Sequence, residues 1–297
     1  MSGPSYKLPE MPAHRYEPAG WCIYCDTPEA PTVLLSEEHI IPLSFGGRLV
    51  LPKASCPGCR RAIDPLESRC FNGMLGAARD HMGLKGRQKL KKRDQFQQRY
   101  RRDGWVQTEK VGLDDHIAFI YSPPLPPPGF LARVPPTKAL GASAYIGYIV
   151  LDKARHIENV KKAIQRGWGG AKLDLFVTPT PVDVQRLIAK IAHAFATAEL
   201  GAHAFEPWLL GLILNIEPEH AGWLIGGVLK NETPSLPVLH QIKFAKSMRW
   251  GDRELIIVSL RLFANHPGTP VYWAAVGLRA MDASSLAAPD QGDKRDG

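Results

Sequence analysis

The sequence predicts an α+β protein: a small N-terminal module held together by metal, followed by a larger α+β domain of unassigned fold. Three observations predict it. Four cysteines fall into two C-x-x-C pairs, Cys22/Cys25 and Cys56/Cys59. Short apolar runs around the Gly46-Gly47 turn signal read as strand, turn, strand, and a helix-forming stretch follows the second pair. From Trp105 onward, strand-like apolar runs mix with helical periodicity in no regular alternation.

The cysteines come first because they fix the module. Each pair offers two thiolates from one tight knuckle, and two knuckles close a tetrahedral site. The spacing predicts structural zinc on Cys22, Cys25, Cys56 and Cys59. A redox C-x-x-C would need one pair only. The fifth cysteine, Cys70, is expected to be a small buried residue. The segment between the knuckles is too short and polar to bury a core of its own, so metal binding is expected to supply the missing stability.

A chain of 297 residues is natural for two domains, and 44% hydrophobic content permits a sizeable core. The most apolar stretch, residues 205–229, is interrupted by Glu217, Pro218, Glu219 and His220, so no membrane span is expected. The N-terminus shows no apolar run and hence no secretory signal, and a cytoplasmic location is the expectation. Formal net charge is +8. Residues 79–102 hold ten Lys or Arg against two Asp, which is the whole of that charge. The basicity is therefore local and suggests a polyanionic partner.

Element by element, residues 1–20 are expected to be a flexible lead-in and residues 21–84 the zinc module. Within the module, Pro65 is expected to kink or stop the helix that begins after Cys59. Residues 85–104 read as a basic linker, residues 105–282 as the α+β domain, and residues 283–297 as a disordered tail. In the larger domain GWVQTEKV, HIAFIYSP, AYIGYIVLD and KLDLFVTP read as strands, and PPLPPPGFLARVPP as an extended loop. HIENVKKAIQRG reads as a helix ending at Gly167. Residues 182–201 form the strongest helical pattern, with Gly201 as its stop. A further apolar helix near EPWLLGLILN precedes three strand candidates, WLIGGVL, RELIIVSLRLF and PVYWAAVGLR. No nucleotide-binding Gly loop and no nucleophile elbow occurs in this part. His193 is expected to be an ordinary helix residue, satisfied or partly exposed.

One stretch between the knuckles, SEEHIIPLSFGG, carries chemistry. Read in order, C-x-x-C, then E-H-I-I-P-x-x-x-G-G, then C-x-x-C over residues 21–87 resembles the HNH endonuclease family in its zinc-knuckle form of the ββα-metal (His-Me finger) fold. The remaining two thirds resembles no family of assigned function. The resemblance implies metal-dependent hydrolysis of phosphodiester bonds in DNA. It makes His39 the general base, since imidazole is poised near neutral pH. It makes Glu38 an oxygen ligand for a catalytic divalent ion, Mg²⁺ or Mn²⁺. Glu37 is expected to face solvent.

The sequence departs from the family pattern at two positions, one of them the mid-hairpin Asn, which is not evident in GGRLVLPKASC; the other is more serious. The residue after the last knuckle cysteine is usually Asn or His and supplies a second ligand to the catalytic metal. Here it is Arg60, which has no acceptor and cannot bind a cation. Asp64, Asn72 or His81 are candidates to replace it. Alternatively the site is degenerate and the module binds nucleic acid without cutting, with Arg60 on a phosphate. A weaker third reading makes the zinc module a prop for a ligand-binding C-terminal domain. Double-stranded DNA is the expected partner, with phosphate contacts from Arg60, Lys85, Arg87, Lys89, Lys91, Lys92 and Arg93. Phe96 and Tyr100 would either stack on bases or pack on the domain. A homodimer is the arrangement that would let single-cut modules break both strands.

Overall fold

The structure, a computed structural model, describes residues 8–9, 11–84, 95–135, 147–174, 179–201, 203–228 and 233–280. The N-terminal part contains strands β1 (His14–Arg15), β2 (Ser36–His39) and β3 (Leu49–Ser55), then helices α1 (Pro57–Cys70) and α2 (Ala78–His81). These strands form one sheet in the order β1-β3-β2, with β2 antiparallel and β1 parallel to β3. A ββα unit is thus present between the knuckles. The first arm falls on Ser-Glu-Glu-His itself rather than on the preceding Val-Leu-Leu. A turn of 3-10 helix at Leu43–Phe45 ends at Gly46, which takes φ 90°. Gly47 follows so close to β2 that a Cβ there would lie 1.9 Å from the Ile41 carbonyl oxygen.

Two expectations for this region are corrected. Residues 11–20 are not a loose lead-in, since they run along the open edge of β3. Tyr16 donates its N–H to Val50 at 2.9 Å and Ala19 donates to Pro52 at 2.9 Å. Pro65 neither stops nor ends the first helix, and α1 continues to Cys70 before a π-helical turn at Phe71–Leu75. Pro65 and Arg61, whose carbonyl loses its helical partner, both lie on the exposed face, where water can take that carbonyl.

The larger part begins with β4 (Phe96–Arg102) and β5 (Trp105–Val111), a hairpin extended by β8 (Lys172–Leu173). Strand β4 occupies the second half of the stretch expected as a basic linker. Its alternation puts Phe96 and Tyr100 inside, Tyr100 stacked on Trp168 at 4.3 Å, so both aromatics pack rather than await bases. Strands β6 (Phe119–Tyr121) and β7 (Tyr148–Val150) pair with each other, separated by the short helix α3 (Gly129–Ala132). Helix α4 (Lys153–Ala163) starts on an Asp152 cap and runs into a π turn that Gly167 closes at φ 98°. Beyond it lie α5 (Pro181–Leu200), β9 (Phe205–Pro207), α6 (Leu210–Ile213), α7 (Ala221–Leu224) and β10 (Ile225–Gly227). Strands β11 (Gln241–Phe244), β12 (Met248–Trp250), β13 (Arg253–Arg261) and β14 (Tyr272–Arg279) complete the chain. They build a sheet in the order β10-β14-β13-β11, with β12 on β13 and β9 on β14. Mixed, segregated helices and strands make the fold α+β. The tail at 283–297 lies outside the described residues, as does most of the KLDLFVTP strand candidate beyond Leu173. No helix among the described residues is long and apolar enough to cross a membrane.

Helix α5 is the organising element. Thr180 and Asp183 form a reciprocal capping box at its start, and Gly201 ends it at φ 91°. From Asp183 to Thr197 every residue is buried, polar ones included. A helix covered all round belongs inside a core. It packs against α1 on one side and against β13, β14 and β10 on the other. Its polar side chains each reach another element's backbone carbonyl: Gln185 to Ile225 at 3.0 Å, Arg186 to Leu212 at 3.1 Å, and His193 to Ile23 at 2.7 Å. Cys70, buried as expected, lies with its Sγ 3.5 Å from the Asp183 carbonyl. One continuous hydrophobic cluster therefore joins the zinc-module residues to the C-terminal sheet.

Candidate active site and metal centre

The four knuckle cysteines converge. Their sulfur atoms all lie within 4.8 Å of one another, and Cys25 and Cys56 are 3.7 Å apart. A tetrahedral zinc with Zn–S near 2.3 Å sets sulfur atoms about 3.8 Å apart, so the donor set fits zinc. Helix α1 helps build it: Cys56 is the N-cap, and its Sγ lies 3.4 Å from the Cys59 N–H. Burial raises the Cys22 thiol to about 11. At the open edge burial also pushes Cys25 upward, but hydrogen bonds from the Thr27 hydroxyl and backbone outweigh it and bring that thiol to about 7.

Beside this centre, β2 and α1 enclose a cleft lined by Glu37, Glu38, His39, Arg60, Asp64 and Glu67 among others. Glu38 and His39 both line this cleft, beside a register shift in β2 between Ser36 and Glu38. His39 pairs with Glu37, two positions back, Nε2 to Oε1 at 3.4 Å. Arg15 of β1 holds the other Glu37 oxygen at 3.1 Å. Glu37 does face solvent, its side chain 43% exposed, and its carboxylate also lies between Arg15 and the candidate base. On α1, Arg60 lines the same cleft and lies 3.5 Å from Asp64 one helical turn on.

Glu38 turns inward and meets Lys190 of α5 in a direct ion pair. Glu67 of α1 holds the same ammonium at 2.8 Å, and Lys190 also donates to the His39 carbonyl at 2.6 Å. The Lys190 side chain has no solvent exposure. Burial alone would discharge it, but the carboxylates of Glu38 and Glu67 outweigh that and hold it charged, above the ordinary lysine range. Burial likewise pushes the Glu38 carboxyl up, against the pull of Lys190. The Glu38 side expected to hold Mg²⁺ or Mn²⁺ already carries a cation, so the residues present do not fit a catalytic divalent ion at Glu38. Nothing in the sequence pattern of the knuckles pointed to Lys190, because its partner lies some 150 positions away. The only signal was a Lys on the most apolar helical face of the chain.

Of the other candidate ligands, Asp64 and Asn72 also line the cleft. Asn72 donates to Ser68 at 2.9 Å and accepts from buried Arg79 at 2.7 Å, which uses its carbonyl oxygen. His81 is not at the cleft. It lines a separate small cavity with His116 and His156, where burial lowers it to about 4. Asp64 stays on the cleft wall. Lys85, Arg87, Lys89, Lys91, Lys92 and Arg93 lie outside the described residues.

Two buried histidines tie the module to the rest of the protein. His193 donates to Ile23 beside Cys22, and His240 bridges Phe45 and Phe263, donating through Nε2 and accepting the Phe263 N–H at Nδ1. Protonation would destroy that acceptor, and burial pushes both groups from 6.5 down to about 4. Between those two values the unfolded chain binds protons that the folded one refuses. Stability is therefore full above about pH 6.5 and is lost as pH falls towards 4, up to about 3 kcal/mol per histidine. Urea unfolding at pH 7 and pH 4.5, at constant zinc content, should show the loss, and His240→Gln should flatten it. An unchanged pH slope in His240→Gln would refute this assignment.

Residues 22–64 match the family model described as HNH endonuclease. The N-terminal part thus carries an HNH-type nuclease domain, and the match spans both knuckles, the hairpin and the first half of α1. No curated protein and no solved structure matches the chain.

Proposed function

We propose that the protein is an endonuclease that hydrolyses phosphodiester bonds in double-stranded DNA, with His39 as general base. The observation that carries this reading is the Arg15–Glu37–His39 relay at the mouth of the cleft, facing Arg60 on α1. Water is the nucleophile. The His39 imidazole takes its proton as the oxygen bonds to phosphorus, the bond from phosphorus to the leaving sugar oxygen breaks, that oxygen takes a proton from solvent, and Glu37 stabilises the resulting imidazolium. Arg60 offsets charge on the phosphate oxygens through charge-assisted hydrogen bonds. Zinc on the four cysteines serves the fold alone. The basic residues of 85–93 add phosphate contacts that weaken as salt rises.

A second reading is supported by Arg60 and by the pairing of Glu38: a zinc module that binds nucleic acid without cutting it. Nicking of supercoiled plasmid at low salt separates the two. Wild type should nick, and His39→Ala should be slower by about 10²-fold or more. Equal rates would remove His39 from the chemistry. A wild type that binds DNA but leaves it intact would favour the second reading.

A further inference from the structure

We propose that Lys190 is the resident cation of this site, its ammonium standing where a divalent ion would otherwise bridge Glu38 and Glu67, so that the cleft works without a catalytic metal ion. Three oxygens surround Lys190 Nζ: one from Glu38, one from Glu67 at 2.8 Å and the His39 carbonyl at 2.6 Å. An ammonium has three hydrogens to donate, and this shell uses all of them. Such a set of hard oxygens around one point is also what a divalent ion would need. The ammonium cannot step aside to admit one. Its stem rises from the wholly buried middle of α5, between Ala189 and Ile191, both without solvent exposure. A divalent ion on the same carboxylates would meet a fixed positive charge in a medium that screens poorly. Arg60 and Arg79, which line the cleft itself, likewise offer no acceptor to a metal.

Lys190 touches no solvent and so no phosphate; it is a positioning residue. Its bond to the His39 carbonyl fixes the end of β2 from which the imidazole projects. A residue of the C-terminal part thereby completes the nuclease module. The clause about catalysis rests on the nuclease reading, whereas the occupancy of the site does not.

Titration of zinc-replete full-length protein with Mn²⁺, read by electron paramagnetic resonance, tests it. Wild type should show no saturable Mn²⁺ site at Glu38. Lys190→Met should gain one, about tenfold tighter or more than any wild-type binding, and Lys190→Met/Glu38→Gln should lose it again. A saturable Mn²⁺ in wild type that Glu38→Gln removes would overturn the proposal, and this arm holds even if Lys190→Met does not fold. In parallel, wild type should nick plasmid in buffer stripped of divalent ions, with zinc retained. Nicking that appears only on adding Mg²⁺ or Mn²⁺, and is lost in Glu38→Gln, would also overturn it. Plasmid left intact in every condition would instead sink the nuclease reading, and the Mn²⁺ titration would still decide the place of Lys190.

Discussion

Cys59→Ser is expected to release the zinc and melt the N-terminal part of the protein. Cys59 is buried on the first turn of α1, and its sulfur is one of four that converge within 4.8 Å. Structural zinc contributes about 10–16 kcal/mol in small zinc-binding peptides, while whole domains are stable by roughly 5–15 kcal/mol. Losing all of the former is enough to remove most or all of the latter. The damage should not stay local, because Cys22 neighbours Ile23, whose carbonyl holds His193 on α5. Metal analysis should give one zinc per chain for wild type and much less for Cys59→Ser, with a Tm lower by more than about 10 °C. Cys70→Ser is the control, since Cys70 is buried outside the cluster and should keep the metal. A Cys59→Ser protein that retains one zinc and melts like wild type would refute a four-sulfur site.

Much of this was legible in the residues because it depends on short-range pattern. Two C-x-x-C pairs announce a tetrahedral site wherever the fold places them. The run at 182–201 announced α5 almost to its ends, because a 3.6-residue period and a terminal glycine agreed there. What could not be read was long-range. The period of α5 does not say that it is covered on every side, so nothing in it marked Lys190 and Arg186 as buried, and His193 read as an ordinary helix residue. The family resemblance gave Glu38 and His39 a joint role. The fold pairs Glu38 instead with a lysine some 150 positions along the chain. His81 was legible as a possible ligand but not as a resident of another cavity, since only the tertiary fold brings it to His116 and His156. Strand β4 was hidden for a different reason: five arginines and glutamines around Phe96 and Tyr100 masked the period-two pattern of a strand with one wet face.

Lys190→Ala should cost about 3–5 kcal/mol at pH 7, since it leaves two carboxylates facing one another with no cation between them. The folded state holds Lys190 charged above its ordinary range, so the contribution is full below about pH 10.5 and fades only as pH rises further. Measurement at neutral pH therefore reads all of it. Adding Glu38→Gln and Glu67→Gln should recover much of the loss, because most of the cost is the charge left behind rather than the value of the bond. Urea denaturation of the wild type, Lys190→Ala and the triple variant tests this as a thermodynamic cycle. A Lys190→Ala protein within about 1 kcal/mol of wild type would mean that the carboxylates find other partners. The shape of the transition carries further information. Lys190 belongs by sequence to the C-terminal part and by contact to the nuclease hairpin, and one hydrophobic cluster spans both. If that cluster unfolds as a unit, the variant shifts a single transition seen alike by zinc release and by tryptophan fluorescence in a Trp21→Phe background, which removes the reporter beside Cys22 and leaves Trp208, Trp223 and Trp250 packed together in the C-terminal part. Two separated transitions, with only the zinc-linked one displaced, would instead mean that the hairpin and the C-terminal part fold apart and that Lys190 is a latch between them.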